Sequence, residues 1–349
     1  MKRLRVASWP GHGATHNPFI HVFLKGLEDA GCDVVSLETV EACAGQAPDI
    51  LLLHWAERIF GESRSRWQAL TKIRSLLKSL AARPAETRVV WLVHNIAPHD
   101  ARPLQRLVWP HYVRALARQV DGFMTLSPGT VDQVRAALSA LAAKPAVGLW
   151  HPAYPDADLP PDERAAARAA FGWTDAQHVL GYCGQIRPYK GVEELLVRFR
   201  KTTRSDLRLL LAGRPGTAGF TDWLRNVAAS DPRIVLRLED LPPAGFRAAL
   251  GSCNTVVAPF RDYLHSGSIV HALSAARPVL TPATPFARSL QGLLGTDWVR
   301  TYAGPLTPAV LEAQAELPAG PGGPDLSDLE AAKVGREAAR FFRDLAQTG

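Results

Sequence analysis

Short apolar runs alternate with longer amphipathic stretches along most of the chain. Each run is four to seven residues long, the length of a strand that is buried on both faces. The stretches between them place apolar residues at the spacing of a helix. The runs that predict strands are Arg3–Ser8, Val34–Leu37, Asp49–His54, Arg88–His94, Gly122–Leu126, Val147–Trp150, His178–Cys183, Leu207–Ala212, Arg233–Leu236, Thr255–Ala258 and Pro278–Thr281. This alternation is typical of parallel sheets covered by helices.

Two proline-rich segments interrupt the pattern and predict the domain organisation. The chain has 349 residues, enough for two domains that each bury a core. The segment that begins at His151 is the first predicted linker, and the segment that begins at Leu317 is the second. We expect an α/β fold with two Rossmann-like domains, residues 1–150 and 151–324, facing each other across a cleft. The last segment, 325–349, is predicted to be a helix that packs back on the first domain.

Positive charge is concentrated in the first half of the chain. The net charge is +7, and residues 1–155 hold 18 lysines and arginines against 12 acidic residues. The excess lies mainly in two predicted basic helices, about 62–83 and about 102–118, which contain Trp67 and Trp109. Basic amphipathic helices with an aromatic anchor favour an anionic membrane surface. A solvated basic face is the alternative, and no motif indicates nucleic-acid binding.

The sequence predicts a protein that touches a membrane without crossing it. No apolar stretch reaches the ~18 residues that a spanning helix requires, and the amino terminus lacks the apolar core of a signal peptide. The cysteines are too scattered for a disulfide framework or a zinc site: Cys32, Cys43, Cys183 and Cys253. We therefore expect a cytoplasmic protein that is peripheral on the inner face of the cell membrane.

The strongest chemical signal follows the strand that ends at Cys183. There the sequence runs Gly184-Gln-Ile-Arg-Pro-Tyr-Lys-Gly and then enters an amphipathic helix. Arg187 and Lys190 are cations three residues apart on a loop at the end of a strand, and they can converge on one diphosphate. The glycine turn lets backbone amides approach the same anion.

A second signal surrounds Ser266-Gly267-Ser268, which precedes a predicted helix after the strand that ends at Ala258. The free amides and positive dipole of a helix start bind anions. The hydroxyls of Ser266 and Ser268 would add hydrogen bonds. A plain serine cap is the alternative interpretation.

These two blocks resemble the donor half of nucleotide-sugar glycosyltransferases of the GT-B fold. In the large retaining family of that fold, a G-x5-K-G block supplies an arginine and a lysine to the donor diphosphate, as Gly184, Arg187 and Lys190 would here. Leu211-Ala-Gly-Arg-Pro-Gly, which contains Arg214, resembles the next loop, and Ala276-Arg-Pro-Val resembles the family's G-x-P-V strand. The resemblance implies a donor site in the second domain. Because Arg187, Lys190 and the helix start at Ser266–Ser268 would neutralise the charge on the leaving group, we expect the site to need no metal ion and no cofactor.

One departure from the family pattern concerns its E-x7-E helix. The two glutamates would fall at Tyr263 and His271, and neither residue is acidic. We keep Tyr263 and His271 as candidate donor contacts. The missing carboxylate favours a diverged, inverting member of the fold, although retention stays open.

The first half is expected to hold the acceptor and the catalytic base. An inverting transfer needs a base to take the acceptor proton, and a histidine suits that task at neutral pH. His16, in the loop after the first strand, is the first candidate base, followed by His12 and Asp100. The remaining predicted acceptor contacts lie near the ends of predicted strands: Asn17, His54, Glu57, His94 and Asn95.

A narrower resemblance is to the xanthan-type β-mannosyltransferases of bacterial exopolysaccharide synthesis. Chain length, the missing E-x7-E and the Ser-Gly-Ser block carry it. It implies GDP-mannose as donor, inversion and a polyprenyl-diphosphate-linked oligosaccharide as acceptor. Two alternatives stay open: another GT-B enzyme, such as an epimerase or a phosphorylase, and a non-catalytic partner in polysaccharide assembly.

Overall fold

The computed structural model of the chain describes residues 3–12, 17–61, 63, 65–97, 103–320 and 322–347. They form two compact units. The first unit comprises Met1–Pro152 together with Ser327–Gly349, and the second comprises Ala153–Leu326. The chain thus leaves the first unit, builds the second, and returns to the first for its last helix.

The first unit is built on a six-stranded parallel sheet with the strand order β2-β1-β3-β4-β5-β6. Its strands are β1 (Arg5–Trp9), β2 (Asp33–Ser36), β3 (Ile50–His54), β4 (Arg88–Leu92), β5 (Gly122–Thr125) and β6 (Ala146–Gly148). Its helices are α1 (Pro18–Asp29), α2 (Cys43–Gln46), α3 (Arg58–Gly61), α4 (Arg66–Ala81), α5 (Pro103–Gln119), α6 (Val131–Ala137) and, at the far end of the chain, α14 (Ala331–Gln347).

Helices α1 and α14 cover the sheet of the first unit together and touch each other closely. Phe23 on α1 and Phe342 on α14 lie in the same buried cluster as the strands. The close approach depends on glycines: a Cβ added at Gly335 would lie 1.9 Å from the carbonyl oxygen of Gly26. Any side chain at that position would force the two helices apart.

The second unit is built on a parallel sheet with the order β12-β11-β10-β7-β8-β9. Its strands are β7 (His178–Cys183), β8 (Leu207–Ala212), β9 (Ile234–Arg237), β10 (Thr255–Val257), β11 (Val279–Pro282) and β12 (Val299–Tyr302). Its helices are α7 (Pro161–Ala170), α8 (Val192–Phe199), α9 (Ala218–Ala228), α10 (Pro243–Ser252), α11 (Gly267–Ser274), α12 (Pro285–Leu294) and α13 (Pro308–Glu312). Both sheets match the α/β fold expected from the sequence.

The structure corrects several predicted element boundaries and adds a strand. The run Val-Arg-Thr-Tyr that forms β12 did not predict a strand, because two of its four residues are polar. Arg300 is nevertheless buried and bonds the carbonyl oxygen of Pro318 at 2.6 Å. The last helix begins at Ala331 rather than near Asp325, after a short 3-10 turn at Ser327–Leu329.

Candidate functional site

Three loops of the second unit meet at the carboxyl edge of its sheet. They follow the neighbouring strands β10, β7 and β8. Gly184 has a φ of +143° and Gly213 has a φ of +137°. Residues that carry a side chain rarely adopt such values. A Cβ at Gly213 would lie 1.9 Å from the Gly184 carbonyl oxygen, and one at Gly184 would lie 3.0 Å from Ser268 Oγ. Glycine therefore brings the backbones of these loops together.

Arg187 lies on the loop after β7 with its charge available. Among the described residues, the Arg187 guanidinium donates only to backbone carbonyls, those of Ile186 (3.2 Å) and Arg214 (3.4 Å). The Ile186 amide also donates to the Arg214 carbonyl at 2.9 Å, which ties this loop to the loop after β8. The Arg214 guanidinium is half exposed, and its charge lies 3.9 Å from Asp240.

Lys190 is the second cation of this loop. It ends a 3-10 turn that Gly191 closes with a φ of +70°. Its ammonium lies 4.3 Å from the centroid of the Phe260 ring, and it forms no ion pair with any residue that the structure describes. Partial burial lowers the pKa of Lys190 to about 8. An anion that binds here therefore gains the interaction of two cations, neither of which is paired with a carboxylate in the part of the chain that the structure describes.

Helix α11 begins beside the same loop. The Ser266 hydroxyl caps it by accepting from the Ile269 amide at 3.3 Å, which is the alternative, serine-cap interpretation of this residue. The Ser266 side chain is buried. The Ser268 hydroxyl lies beside Gly184, in the loop after β7. The structure thus brings the amino end of α11, including Gly267, next to the loop that holds Arg187 and Lys190.

Tyr263 and His271, the residues at the two glutamate positions, contact other side chains of the second unit. The Tyr263 hydroxyl bonds Thr281 at 3.0 Å and Thr284 at 3.1 Å. His271 stacks on Tyr154 with 4.3 Å between ring centroids, and burial lowers its pKa to about 4. Both side chains are therefore uncharged at neutral pH, and neither replaces the charge of a glutamate.

The first unit collects polar side chains at the carboxyl ends of β3 and β4. His54 Nδ1 lies 3.2 Å from His94 Nε2, and both rings are buried. Burial lowers the pKa of His54 to about 3, so the ring is neutral at physiological pH. The Asn95 amide donates to Glu57 Oε1 at 2.6 Å. Four of the predicted acceptor contacts are therefore brought together in pairs.

Other candidates lie apart from these pairs or outside the described residues. His12 approaches Glu28 at 3.5 Å and His21 at 3.4 Å. Asn17 caps α1 by accepting from the Phe19 amide at 3.1 Å. The predicted bases His16 and Asp100 lie outside the residues that the structure describes.

Two residues of this region were not predicted as site residues. Trp55 stacks on His94 with 4.3 Å between ring centroids, and its φ of +45° is unusual for a tryptophan. His151 is buried, and its ring lies 5.0 Å from that of Phe19. His151 follows β6, so its position after a strand was a usable signal. Its contact with α1 is non-local and could not be predicted from local pattern.

The two basic helices correspond to α4 and α5, with one correction. Trp67 on α4 is 64% exposed, as an anchor requires. Trp109 on α5 is buried and donates its indole N–H to the Ile96 carbonyl at 3.0 Å, so its prediction as a surface anchor was wrong. Among the residues of α5 whose side chains the structure describes, Leu107 is a large apolar residue that is 70% exposed. Among the described residues, no helix combines the length and the apolar character needed to span a bilayer.

Comparison with known proteins supports the class indicated by these observations. No family model matches the sequence. Among solved structures, the chain is similar to Anabaena HepE in complex with UDP-glucose, with a TM-score of 0.65, 11% identity and 99% of each chain covered. It is also similar to WaaG, a glycosyltransferase involved in lipopolysaccharide biosynthesis, with a TM-score of 0.57, 14% identity, and 99% of this chain and 96% of that chain covered. Identities this low show the fold alone.

Curated relatives extend the comparison from fold to sequence. Over 298 residues the chain is 28% identical to the GDP-mannose:glycolipid 4-β-D-mannosyltransferase of Xanthomonas campestris pv. campestris, covering 84% of this chain and 79% of that protein. It is also 28% identical over 183 residues to the D-inositol 3-phosphate glycosyltransferase of Mycolicibacterium gilvum, covering 49% of this chain and 40% of that protein.

Together, the two parallel sheets and these relatives make the chain a glycosyltransferase of the GT-B fold. The match to the Xanthomonas mannosyltransferase covers 84% of this chain and is therefore long enough to include parts of both units.

Proposed function

We propose that the chain transfers mannose from GDP-mannose to a polyprenyl-diphosphate-linked oligosaccharide in exopolysaccharide synthesis, with inversion at the anomeric carbon. The observation that carries the proposal is the 28% identity to the Xanthomonas mannosyltransferase over 84% of the chain. A match of that length covers parts of both units, so it is not limited to a shared nucleotide-binding motif.

The donor diphosphate is assigned to the second unit. Arg187 and Lys190 supply charge, and Ser268 with the amino end of α11 supplies hydrogen-bond donors. Arg214 lies one loop away and adds a third cation. When the sugar leaves, negative charge develops on the diphosphate, and these groups would stabilise it in place. The residues assigned here would thereby perform the task that a metal ion performs in other transferases.

Tyr263 and His271 are proposed to support the donor site without adding charge. Each lies where the retaining family has a glutamate, and each is uncharged at neutral pH. Tyr263 is fastened to the region of β11 through Thr281. The loss of both carboxylates is consistent with a donor geometry that differs from the retaining family.

The acceptor is assigned to the first unit. Parallel α/β sheets bind ligands at the carboxyl ends of their strands, and His54, His94, Glu57 and Asn95 lie there. His12 and Asn17 follow β1 at the same edge of the sheet and are kept as outer acceptor contacts.

The same proposal places the protein on the inner face of the cell membrane. On α4, the buried stripe that includes Ile73 and Leu76 leaves Trp67, Arg74 and Lys78 exposed. Basic side chains beside an exposed tryptophan suit anionic head groups. We expect the protein to co-sediment with vesicles containing phosphatidylglycerol and to stay in solution with phosphatidylcholine alone. Equal recovery with both vesicles would refute this part.

Calorimetry with GDP-mannose, GDP and UDP-glucose tests the donor assignment. Arg187→Ala and Lys190→Ala should each weaken GDP-mannose binding about 10- to 100-fold, because each removes a charge-assisted hydrogen bond. Arg225→Ala is the matched control, since Arg225 is exposed on α9 and pairs with Asp222.

The outcomes separate the alternatives. Binding of the GDP ligands alone supports mannosyl transfer, and binding of UDP-glucose overturns the donor assignment while leaving the class intact. Turnover of donor without acceptor favours an epimerase. Absence of binding by all three ligands refutes the proposed donor and favours a non-catalytic partner.

A further inference from the structure

The turn between β3 and α3 carries two costly features within three residues. Trp55 adopts the left-handed region, with a φ of +45°. Such strain persists only where the surrounding structure enforces it, and it is frequent at functional sites. Two residues later, the Glu57 side chain is almost wholly buried. The turn lies at the carboxyl edge of the sheet, where ligands bind in this fold class.

One of the two carboxyl oxygens of Glu57 lacks a hydrogen-bond partner in the part of the chain that the structure describes. Its Oε1 accepts from the Asn95 amide at 2.6 Å, while its Oε2 has no hydrogen-bond partner among the described residues. A buried carboxyl oxygen without a partner destabilises the fold, and an apolar residue or a fully bonded amide would avoid that cost. Stability therefore does not explain a glutamate at this position.

The groups around Glu57 leave its carboxyl able to gain and lose a proton near neutral pH. Tyr112 on α5 is committed to the Ala56 carbonyl, which its hydroxyl bonds at 3.1 Å. Burial raises the pKa of Glu57, and the hydrogen bonds from Asn95 and from the Glu57 backbone amide, together with the charge of Arg58, lower it by less. The net effect is a pKa of about 7 for Glu57. His54, by contrast, has a pKa of about 3 and is too weak a base to keep a proton at neutral pH.

We propose that Glu57 is the general base of the transfer, with Asn95 as its positioning residue. This inference rests on the proposed function. In the step, Glu57 Oε2 takes the proton of the acceptor hydroxyl, and the acceptor oxygen forms a bond to the anomeric carbon of mannose. The bond from that carbon to the diphosphate oxygen breaks, and its electron pair leaves with GDP. A base whose pKa is close to the working pH is the most effective in such a step.

Glu57→Gln is the decisive variant, because it keeps the shape and the bond to Asn95 while removing the ionisation. Glu86→Gln, on an exposed residue of the same unit, is the control. With GDP-mannose and a polyprenyl-diphosphate-linked tetrasaccharide, E57Q should lose about 10²- to 10⁴-fold in kcat. Its calorimetric affinity for GDP-mannose should match that of E86Q, and its Tm should equal or exceed that of E86Q, because E57Q removes a buried charge.

Two readouts beyond the rate test the role itself. The kcat/KM of the wild type should rise with pH and level off above about pH 7, because the base must be ionised. The infrared band of a protonated carboxyl should titrate over the same range and be missing in E57Q. Asn95→Ala should move both titrations, which a purely structural asparagine would not.

The results distinguish this inference from the function beneath it. A wild type that neither binds nor transfers from GDP-mannose overturns the proposed function, and the inference with it. A wild type that transfers mannose while E57Q keeps more than a tenth of its kcat overturns only the role of Glu57. In that case, loss of transfer in His16→Ala or Asp100→Asn would identify the base instead.

Discussion

Donor binding should weaken with rising pH because of Lys190. The ammonium is half-buried over the Phe260 ring and pairs with no carboxylate of the described residues, and burial lowers its pKa to about 8 in the free protein. Only the protonated form attracts the diphosphate. By these values about nine-tenths of the side chains are protonated at pH 7 and about one-tenth at pH 9, so Kd for GDP-mannose should rise about tenfold between them.

The measurement is calorimetry at fixed ionic strength, since salt screens the same interaction. Lys190→Arg is the matched control, because a guanidinium stays charged throughout this range. Any ionisation of the guanine base of GDP-mannose at high pH affects the wild type and the variant equally. The difference in Kd between the two proteins therefore reports on Lys190 alone. A wild-type Kd that is constant from pH 7 to pH 9, or that follows the variant, would refute the assignment of Lys190 to the diphosphate.

Three further predictions follow from the backbone and the buried histidine. Ala276 has a φ of +51°, so Ala276→Gly should raise the unfolding free energy by about 0.5–1 kcal/mol in urea titrations; a decrease would contradict the strain. Gly213→Ala should abolish donor binding and lower stability by about 2 kcal/mol or more, since its Cβ would meet the Gly184 carbonyl; retained binding would exclude the close approach. The pKa of His54 is about 3 in the fold against about 6.5 when unfolded, so the unfolded chain binds more protons and stability should fall as pH drops from about 6.5. His54→Asn should reduce that slope, and an unchanged slope would assign it to other groups.

Strand prediction succeeded where the run was mostly apolar. The bounds predicted for β7 and β8 match those in the structure, because both strands lie in the middle of a sheet and His178 and Arg208 are their only polar residues. β12 lies at the edge of the same sheet and contains Arg300. The burial of that arginine depends on carbonyl groups near Pro318, which no local pattern contains.

The candidate sites show the same division between local and distant information. Gly184, Arg187 and Lys190 follow one strand, so their shared loop could be predicted from spacing. The approach of Ser268 to that loop depends on the packing of β10 beside β7. In the first unit, the bond between Glu57 and Asn95 joins residues 38 positions apart, and its effect on the pKa depends on burial. Local pattern therefore indicated where to look but not which group would titrate near neutrality.

The packing of α14 on α1 sets an order for biosynthesis. The second unit is one continuous segment, Ala153–Leu326, and can fold as soon as it leaves the ribosome. The first unit begins to be translated earlier, but it lacks the helix whose Phe342 and Val334 complete its core until α14 has been translated. The sheet of the first unit therefore lacks the part of its cover that α14 provides while the second unit folds. A nascent chain stalled before Ala331 should show a protease-resistant second unit and a sensitive first unit, so the first unit would mature after the second although its translation begins earlier.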